Sequence, residues 1–336
     1  MQQVADAAGV SLTAVSHILG RRGGAGYADA TILQVKAVTK RLGFRPNAAA
    51  KAIGSGRFSS VLLLQDAIPE RTLLSPLFVL SLSARLAAAG YRLTVATIDD
   101  REVSGGVAEV IEHIHADVVV ANYHTDLPSA LRQTLDRAHL PVVWVNRRDA
   151  PVAVLHDDEA MGRQAAGMLL AQGHRRIAYL DPWMQPDRPY PHYSQAARYN
   201  GYVQALAAVD LPPEVWSTPV GLDACGADFL HAYRARLASP NRATAVITAV
   251  PPWTLMEAAA GLGLEIPRDL HIISLSELQP IMDRVVPHVC NDWRAIGAAA
   301  GELALGMLQT PKTHAQVRVP PLVFGWPWPV GAVTPT

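Results

Sequence analysis

The sequence predicts a small all-α helix-turn-helix head joined to an α/β core of two lobes, each a parallel sheet with helices on both faces. Three observations carry this. The stretch from Val4 to Leu19 has the spacing of two short helices about a tight turn. From Val61 onward, short continuous apolar runs alternate with amphipathic helical segments, the pattern of strands buried on both faces. Charge is also partitioned. Residues 1–57 hold eight Lys/Arg against Asp6 and Asp29, a net of +6, whereas the whole chain has 29 of each sign, so the remainder carries −6. A basic head on an acidic body is the electrostatic footprint of a phosphate-binding module.

Length and composition set the outer bounds. At 336 residues the chain exceeds one ordinary domain, and at 50% hydrophobic it can fill sizeable cores. The start shows no basic-then-apolar signal segment, and no apolar run reaches the ~18 residues of a membrane span. Cys225 and Cys290 are distant and lack C-x-x-C spacing, which fits a reducing compartment. A cytoplasmic protein without membrane contact is expected.

In the head, Gly9 supplies the positive φ of a sharp corner, and Ser11 caps a second helix through its hydroxyl. At 100° per residue Val15 and Ile18 face Val4 and Val10, and Leu12, Thr13, Ser16 and His17 fall together on the opposite side. That face is small, mixed and uncharged, able to enter a major groove and meet base edges. A helical hairpin of any small bundle has the same spacing; the charge partition is what separates the two readings. Four glycines make residues 20–26 a loop. Asp29 is placed to cap a third helix over residues 30–42, whose Ile32, Val35, Val38 and Leu42 close a three-helix core. Gly43 ends that helix, and Pro46 extends Arg45.

Asn47 then opens an alanine-rich segment ending at Ile53 and followed by Gly54-Ser-Gly56. It is about two turns long, below the ~12–15 residues at which a lone helix holds in water, so it is expected to order only in a groove or against a second copy. A plain spacer has the same composition.

Val4-Ala5, Ala8-Gly9-Val10-Ser11, Val15-Ser16-His17-Ile18-Leu19 and Leu42-Gly43-Phe44-Arg45-Pro46-Asn47-Ala48-Ala49-Ala50-Lys51-Ala52-Ile53 together resemble the headpiece and hinge helix of the LacI/GalR transcription regulators. The resemblance implies base reading by Leu12, Thr13 and His17, with Ser11, Ser16 and Asn47 in the same DNA-binding set. It also implies hinge helices paired across a homodimer or larger assembly, with Ile53 as an apolar wedge in the minor groove of a palindromic operator. Two departures stand out. The chain begins very close to the first helix, and Gly20 replaces a polar residue that commonly touches the DNA backbone. The domains that follow are 1–45, a helix-turn-helix head; 46–57, hinge helix and linker; and 58–336, an effector-binding and dimerisation core.

In the core the expected strands are 61–64, 92–97, 117–121, 142–146, 152–155, 176–180, 245–248, 272–275 and 317–323. Helices are expected at 76–89, 103–114, 128–138, 160–171, 194–207, 227–237, 253–261 and 294–309. Two consecutive α/β units predict two lobes with a cleft between them. The resemblance extends here to a periplasmic sugar-binding shape, carried by Gly173-His-Arg-Arg-Ile-Ala-Tyr-Leu180 and by Arg198 with Gly201-Tyr202.

Ligands of open α/β sheets lie beyond the carboxyl ends of the strands. There the chain places Gln65-Asp66, Asp99-Asp100, Asn122, Asn146-Arg147-Arg148, Asp181-Pro-Trp183 and Thr248 to Trp253. Carboxylates, an arginine and flat indoles suit a polyhydroxylated ligand, although polar residues are ordinary at strand ends. The resemblance singles out Arg198 and Asp158, on opposite lobes, as effector contacts, with Ser194 one turn before Arg198, and Asp66 and Trp253 complete the set. After the strand at 245–248 the family usually carries Asn-Asp; here Ala249-Val-Pro-Pro-Trp253 stands instead. Trp253 is thus either a stacking surface or a core residue of the helix it starts.

No Walker lysine loop, G-x-S-x-G elbow or H-E-x-x-H is present, so no enzyme is expected. Asp157 and Asp158 are adjacent and would point apart on a strand, and Arg147-Arg148 and Arg175-Arg176 read as solvated edges. His113-x-His115 has no third ligand nearby, so neither metal nor cofactor is expected. The expected protein is a DNA-binding transcription regulator, a repressor, controlled by a small polar ligand such as a sugar or sugar derivative. The alternative is a cytoplasmic solute-binding sensor without operator specificity.

Overall fold

The computed structural model describes residues 1–20, 25–44, 57–66, 74–98, 116–122, 129–137, 139–184, 192–217, 226–276, 286–310 and 314–325. The chain divides into two compact units, Met1–Ser60 with His115–Asp117, and Val61–Ile114 with Val118–Thr336. The expected hinge at 46–57 lies outside the described residues apart from Arg57, as does the helix expected at 103–114.

The first unit holds three helices, α1 (Gln2–Ala8), α2 (Leu12–Leu19) and α3 (Asp29–Arg41). Gly9 sits at φ 63°, a left-handed value that costs a side-chain-bearing residue ~1–2 kcal/mol. Ser11 is extended, and its Oγ accepts from the Ala14 N–H at 3.1 Å. Val4, Ala5, Ala8, Val15, Ile18, Val35 and Val38 form the core. Two details differ from expectation. Ala28, not Asp29, occupies the cap position of α3, and Asp29 is instead the first helical residue, where its charge meets the positive end of the helix. Leu42 is 45% exposed because α3 ends before it. The chain then turns, the Phe44 N–H bonds to the Thr39 carbonyl at 3.0 Å, and Phe44 and Tyr27 pack against the core in its place.

The second unit is built on two six-stranded sheets. In the first, β1 (Ser60–Asp66), β2 (Arg92–Ile98), β3 (Val118–Asn122), β4 (Val142–Val145), β5 (Val152–His156) and β11 (Ala315–Val319) run in the order β11-β5-β4-β3-β1-β2. The pairs from β1 to β11 are parallel, with Leu63 opposite Val120 and Val154 opposite Val317. Helix α4 (Pro76–Ala88), with Pro76 in its first turn and Ser75 as cap, lies with α10 (Trp293–Gln309) on one face. Phe78, Leu82, Leu86, Ile296 and Ala300 are fully buried there; each of the larger side chains contributes about 1.5–3 kcal/mol of apolar burial. Helix α5 (Ser129–Arg137) buries Leu131 and Leu135.

In the second sheet, β6 (Ile177–Leu180), β7 (Glu214–Trp216), β8 (Ala245–Thr248), β9 (His271–Ser274), β10 (His288–Cys290) and β12 (Leu322–Phe324) take the order β12-β10-β9-β8-β6-β7. All pairs are parallel except the edge strand β12, antiparallel on β10. One layer of its core comes from α6 (Asp158–Ala171) and α7 (Tyr193–Ala207), through Met161, Ala165, Leu169, Tyr202 and Leu206. The other comes from α8 (Gly226–Leu237) and α9 (Trp253–Ala260), through Tyr233, Leu237, Leu255 and Ala259.

Chain order and lobe order therefore differ from a simple succession of two units. The chain leaves the first lobe after β5, returns with α10 and β11, and crosses again into β12. The single strand expected at 317–323 is two strands in different sheets. Pro320 and Pro321 between them have no N–H to donate to a ladder, which ends one pairing and frees the next segment to join the other sheet. The three-residue strands β7 and β10 had no distinct sequence pattern.

Candidate functional site

Leu12, Thr13 and Ser16 are exposed together on α2, Leu12 to 45%. Ser11, also in the expected set, spends its hydroxyl on the helix cap. His17 is half-buried: its Nδ1 lies 3.3 Å from the Tyr27 hydroxyl, with the two rings edge to face at 6.3 Å. Gln34 on α3 donates to the Ala8 carbonyl at 3.1 Å and so fixes the end of α1 against α3. Asn47 and Ile53 lie outside the described residues.

In the core, the structure assembles polar groups where the lobes meet. Asp157 caps α6 by accepting from the Ala160 N–H at 3.1 Å, and Asp158 opens the helix, so these two carboxylates do not alternate along a strand. Asp158 is 1% exposed and receives Arg198 Nε at 2.9 Å; the Arg198 side chain is 19% exposed. The two residues belong to one lobe, not to opposite ones, because α6 packs directly beside α7. Gly162 and Gly201 permit this approach. A Cβ on Gly162 would meet the Arg198 carbonyl oxygen at 1.8 Å, and one on Gly201 the Glu159 carbonyl at 2.0 Å.

Burial pushes the Asp158 carboxyl up, against the pull of the Arg198 guanidinium. Burial works the other way on Arg198, but the Asp158 charge and hydrogen bond, with Tyr179 and Asp181, together outweigh it and hold the guanidinium above its ordinary value. Asp181, at the end of β6, is also 1% exposed; burial raises it although its Oδ1 accepts from the Trp183 N–H at 3.0 Å. Asp158 Oδ2 and Asp181 Oδ2 are buried without a hydrogen-bond partner among the described residues. Each such acceptor costs about 1–3 kcal/mol, or more when charged, and a ligand donor at that oxygen would recover it.

A second cluster joins the lobes. Asn146, after β4 of the first lobe, is 4% exposed. Its Oδ1 accepts from the Tyr193 hydroxyl at 2.6 Å and its carbonyl from His192 Nε2 at 3.1 Å. The backbone N–H of Ser194 donates to His192 Nδ1 at 3.3 Å, so the His192 proton resides on Nε2, the nitrogen that reaches across. The Ser194 hydroxyl is 2.8 Å from the same Nδ1 and is therefore tied to this cap. Arg148 lies 4.1 Å over the Tyr193 ring. Arg147 is no solvated edge: its side chain is 12% exposed, and it grips Asp149 through Nε at 2.9 Å and Nη2 at 3.0 Å.

Trp253 begins α9 and is 38% exposed, outside the core formed by Leu255, Ala258 and Ala259, so the core reading of this indole does not hold. The Asp66 side chain lies outside the described residues. Asp158, Ser194 and Arg198 are thus gathered near one another by α6 and α7. His192 and Tyr193 had no signal in the sequence beyond adjacency to Ser194, whereas Asn146 and Asp181 were marked by their place at strand ends. Among the described residues no group of three or more His, Cys, Asp or Glu is placed to hold a metal, and no helix is long and apolar enough to cross a membrane.

A helical head with a second helix exposing a small uncharged face, on a chain with a two-sheet α/β core, defines a class in which a helix-turn-helix module accompanies a binding-protein-like core. The family described as "periplasmic binding protein-like domain" matches residues 166–325. The helix-turn-helix transcriptional regulator CelR of Thermobifida fusca is 29% identical over 226 residues, 63% of this chain and 62% of that protein. The chain thus aligns with about three fifths of the length of that relative. Among solved structures, the CelR–cellobiose complex superposes with a TM-score of 0.62 at 22% identity, covering 96% of this chain and 97% of the other. The lac repressor bound to ONPG in its repressed state gives 0.74 at 17% identity, covering 96% of each chain. The chain is thus similar in sequence to helix-turn-helix transcriptional regulators and in fold to the lac repressor.

Proposed function

We propose that this protein is a sequence-specific DNA-binding transcription regulator, a repressor acting as a homodimer on a palindromic operator, whose affinity is set by a small polyhydroxylated ligand between the core lobes. The observation that carries the reading is the pairing, in one chain, of an exposed uncharged recognition face on α2 with buried carboxylate oxygens in the core. Leu12, Thr13, Ser16 and His17 offer the methyl and hydrogen-bonding groups that base edges need. Asp158 and Asp181 offer acceptors to ligand hydroxyls, Arg198 a fixed donor, and Trp253 a flat apolar face. Asn47 and Ile53 belong to the expected minor-groove set, and Asp66 and Ser194 to the cleft set. A ligand with different affinity for two lobe arrangements shifts their populations, and with them DNA affinity. The solved complex of CelR with cellobiose makes cellobiose the first sugar to try. Nothing in this reading calls for catalysis, and it places the protein in the cytoplasm.

Selection of bound duplexes from a random pool with the full chain tests it. A recovered palindrome, bound with a steep salt dependence, is expected. Recovery of no motif sinks the operator reading and leaves a solute-binding sensor. For the ligand arm, thermal shift against cellobiose and other mono- and disaccharides is expected to find a stabilising sugar. Arg198→Ala should remove that shift and the sugar's effect on DNA while keeping ligand-free operator affinity. If both activities fall together, the arginine is structural.

A further inference from the structure

Tyr27 follows the recognition helix after residues 20–26, and it is half-buried against the head core, as Phe44 and Ile32 also are. Its hydroxyl is 3.3 Å from His17 Nδ1, and its ring meets the imidazole edge to face, with planes 66° apart. A histidine near the C-terminal end of an eight-residue helix is ordinarily free to turn its ring; here a residue from outside the helix holds one of its two nitrogens. The other, Nε2, is neither buried without a partner nor engaged by any described residue, so it is the nitrogen left for an outside group.

Which nitrogen carries the proton decides what an imidazole can read. With Tyr27 donating its O–H to Nδ1, the ring proton sits on Nε2, which then presents a donor. A protonated imidazolium, with Nδ1–H donating to the phenol oxygen, presents the same donor. Only the remaining neutral tautomer makes Nε2 an acceptor, and it leaves the tyrosine O–H without a described protein acceptor. In the major groove adenine N7 and thymine O4 each offer one acceptor, beside an amino donor or a methyl; guanine alone presents two adjacent acceptors, N7 and O6, so a lone donor is best matched there.

We infer that Tyr27 is a positioning residue for base readout: its contact with His17 fixes the imidazole as an Nε2–H donor and directs it to guanine. This rests on the proposed DNA-binding function and deepens it. Tyr27 itself touches no base in this account and acts through His17.

The test is selection from a random duplex pool with the full chain, followed by competition binding on the recovered site and its single-base variants, for wild type, Tyr27→Phe and His17→Ala. Phenylalanine keeps the ring packing and removes only the hydroxyl. The expected result is a guanine in each half-site whose preference of about tenfold in wild type falls toward parity in His17→Ala, the size of one good base contact. Tyr27→Phe should relax the same position and no other, by a smaller factor, with unchanged thermal stability and unchanged affinity for random duplex. Wild-type preference retained at every position in Tyr27→Phe overturns the inference, as does a preferred base other than guanine at the His17 position. Failure of wild type to select any motif sinks the DNA-binding reading itself, a result distinct from either.

Discussion

Replacing Gly201 by alanine would drive a methyl carbon to 2.0 Å from the Glu159 carbonyl oxygen, on a helix pair that also sets the Asp158–Arg198 bond. An ordinary contact begins near 3.4 Å, so α6 and α7 must part by about 1.4 Å where backbone, not a flexible side chain, is the obstacle. Opening the ion pair by the same amount would take it from 2.9 Å to about 4.3 Å, beyond hydrogen-bond range. Overpacking of this kind costs ~1–3 kcal/mol, and loosening a hydrogen bond to a buried charge adds ~1.5–3 kcal/mol if it opens fully. A loss of about 3 kcal/mol is therefore expected in urea unfolding of Gly201→Ala, together with loss of the sugar-dependent thermal shift. Gly167→Ala, on the facing helix α6 with nothing within 4 Å of the new Cβ, is the control; it should gain ~0.5–1 kcal/mol from helix propensity. A Gly201→Ala protein within ~0.5 kcal/mol of wild type, or one destabilised yet fully ligand-responsive, would refute the link between helix spacing and the site.

Two further outcomes follow from the core. His174 bonds to Thr244 Oγ1 at 2.9 Å through Nδ1 and to His271 through Nε2; burial, with His271 beside it, depresses it from 6.5 to about 4. The unfolded chain therefore takes up the proton first, so this contribution is whole above pH ~6.5 and is lost as pH falls toward 4. The loss is about 2–3 kcal/mol after allowance for partial exposure. Urea midpoints between pH 7 and 4.5 should fall less steeply in His174→Asn; an unchanged slope would exclude His174 as the source. Tyr193→Phe removes the 2.6 Å bond to Asn146 and should cost ~0.5–1.5 kcal/mol in the same assay, and no loss would mean the bond is not made in solution.

The head was legible because its determinants are local. Gly9, Ser11 and the apolar positions of α2 act within a turn or two, and each recurs in the structure as read. The cap of α3 was misread by one residue, since Asp29 serves both a cap and a first turn and only the backbone of Ala28 distinguishes them. In the core, strands of four or more apolar residues announced themselves, while β7 and β10 are three residues long and draw their identity from neighbours in the sheet. The split of 317–323 turned on two prolines lying inside a segment that, Arg318 apart, is otherwise apolar. Arg198 and Asp158 were visible one at a time; that they share a lobe depends on Gly162 and Gly201, whose meaning is a distance between helices rather than a motif. The bonds from Tyr193 and His192 to Asn146 join residues 46 and 47 positions apart and leave no trace in either segment.

The paired prolines also have a mechanical consequence. One residue, Asp157, separates β5 from α6; Asn291 and Asp292 separate β10 from α10; Pro320 and Pro321 separate β11 from β12. The first and third of these crossings are tied, since the Asp157 N–H bonds to the Val319 carbonyl at 3.0 Å. Three links each one or two residues long leave the lobes almost no freedom to slide or draw apart: the Cα atoms of Val319 and Leu322 can never lie more than about 11 Å from one another. What remains is rotation about an axis through the links, like a door on three short pins. Motion at any point then grows with its distance from that axis, so a small ligand acting near the pins would produce its largest displacement at the far rims of the lobes.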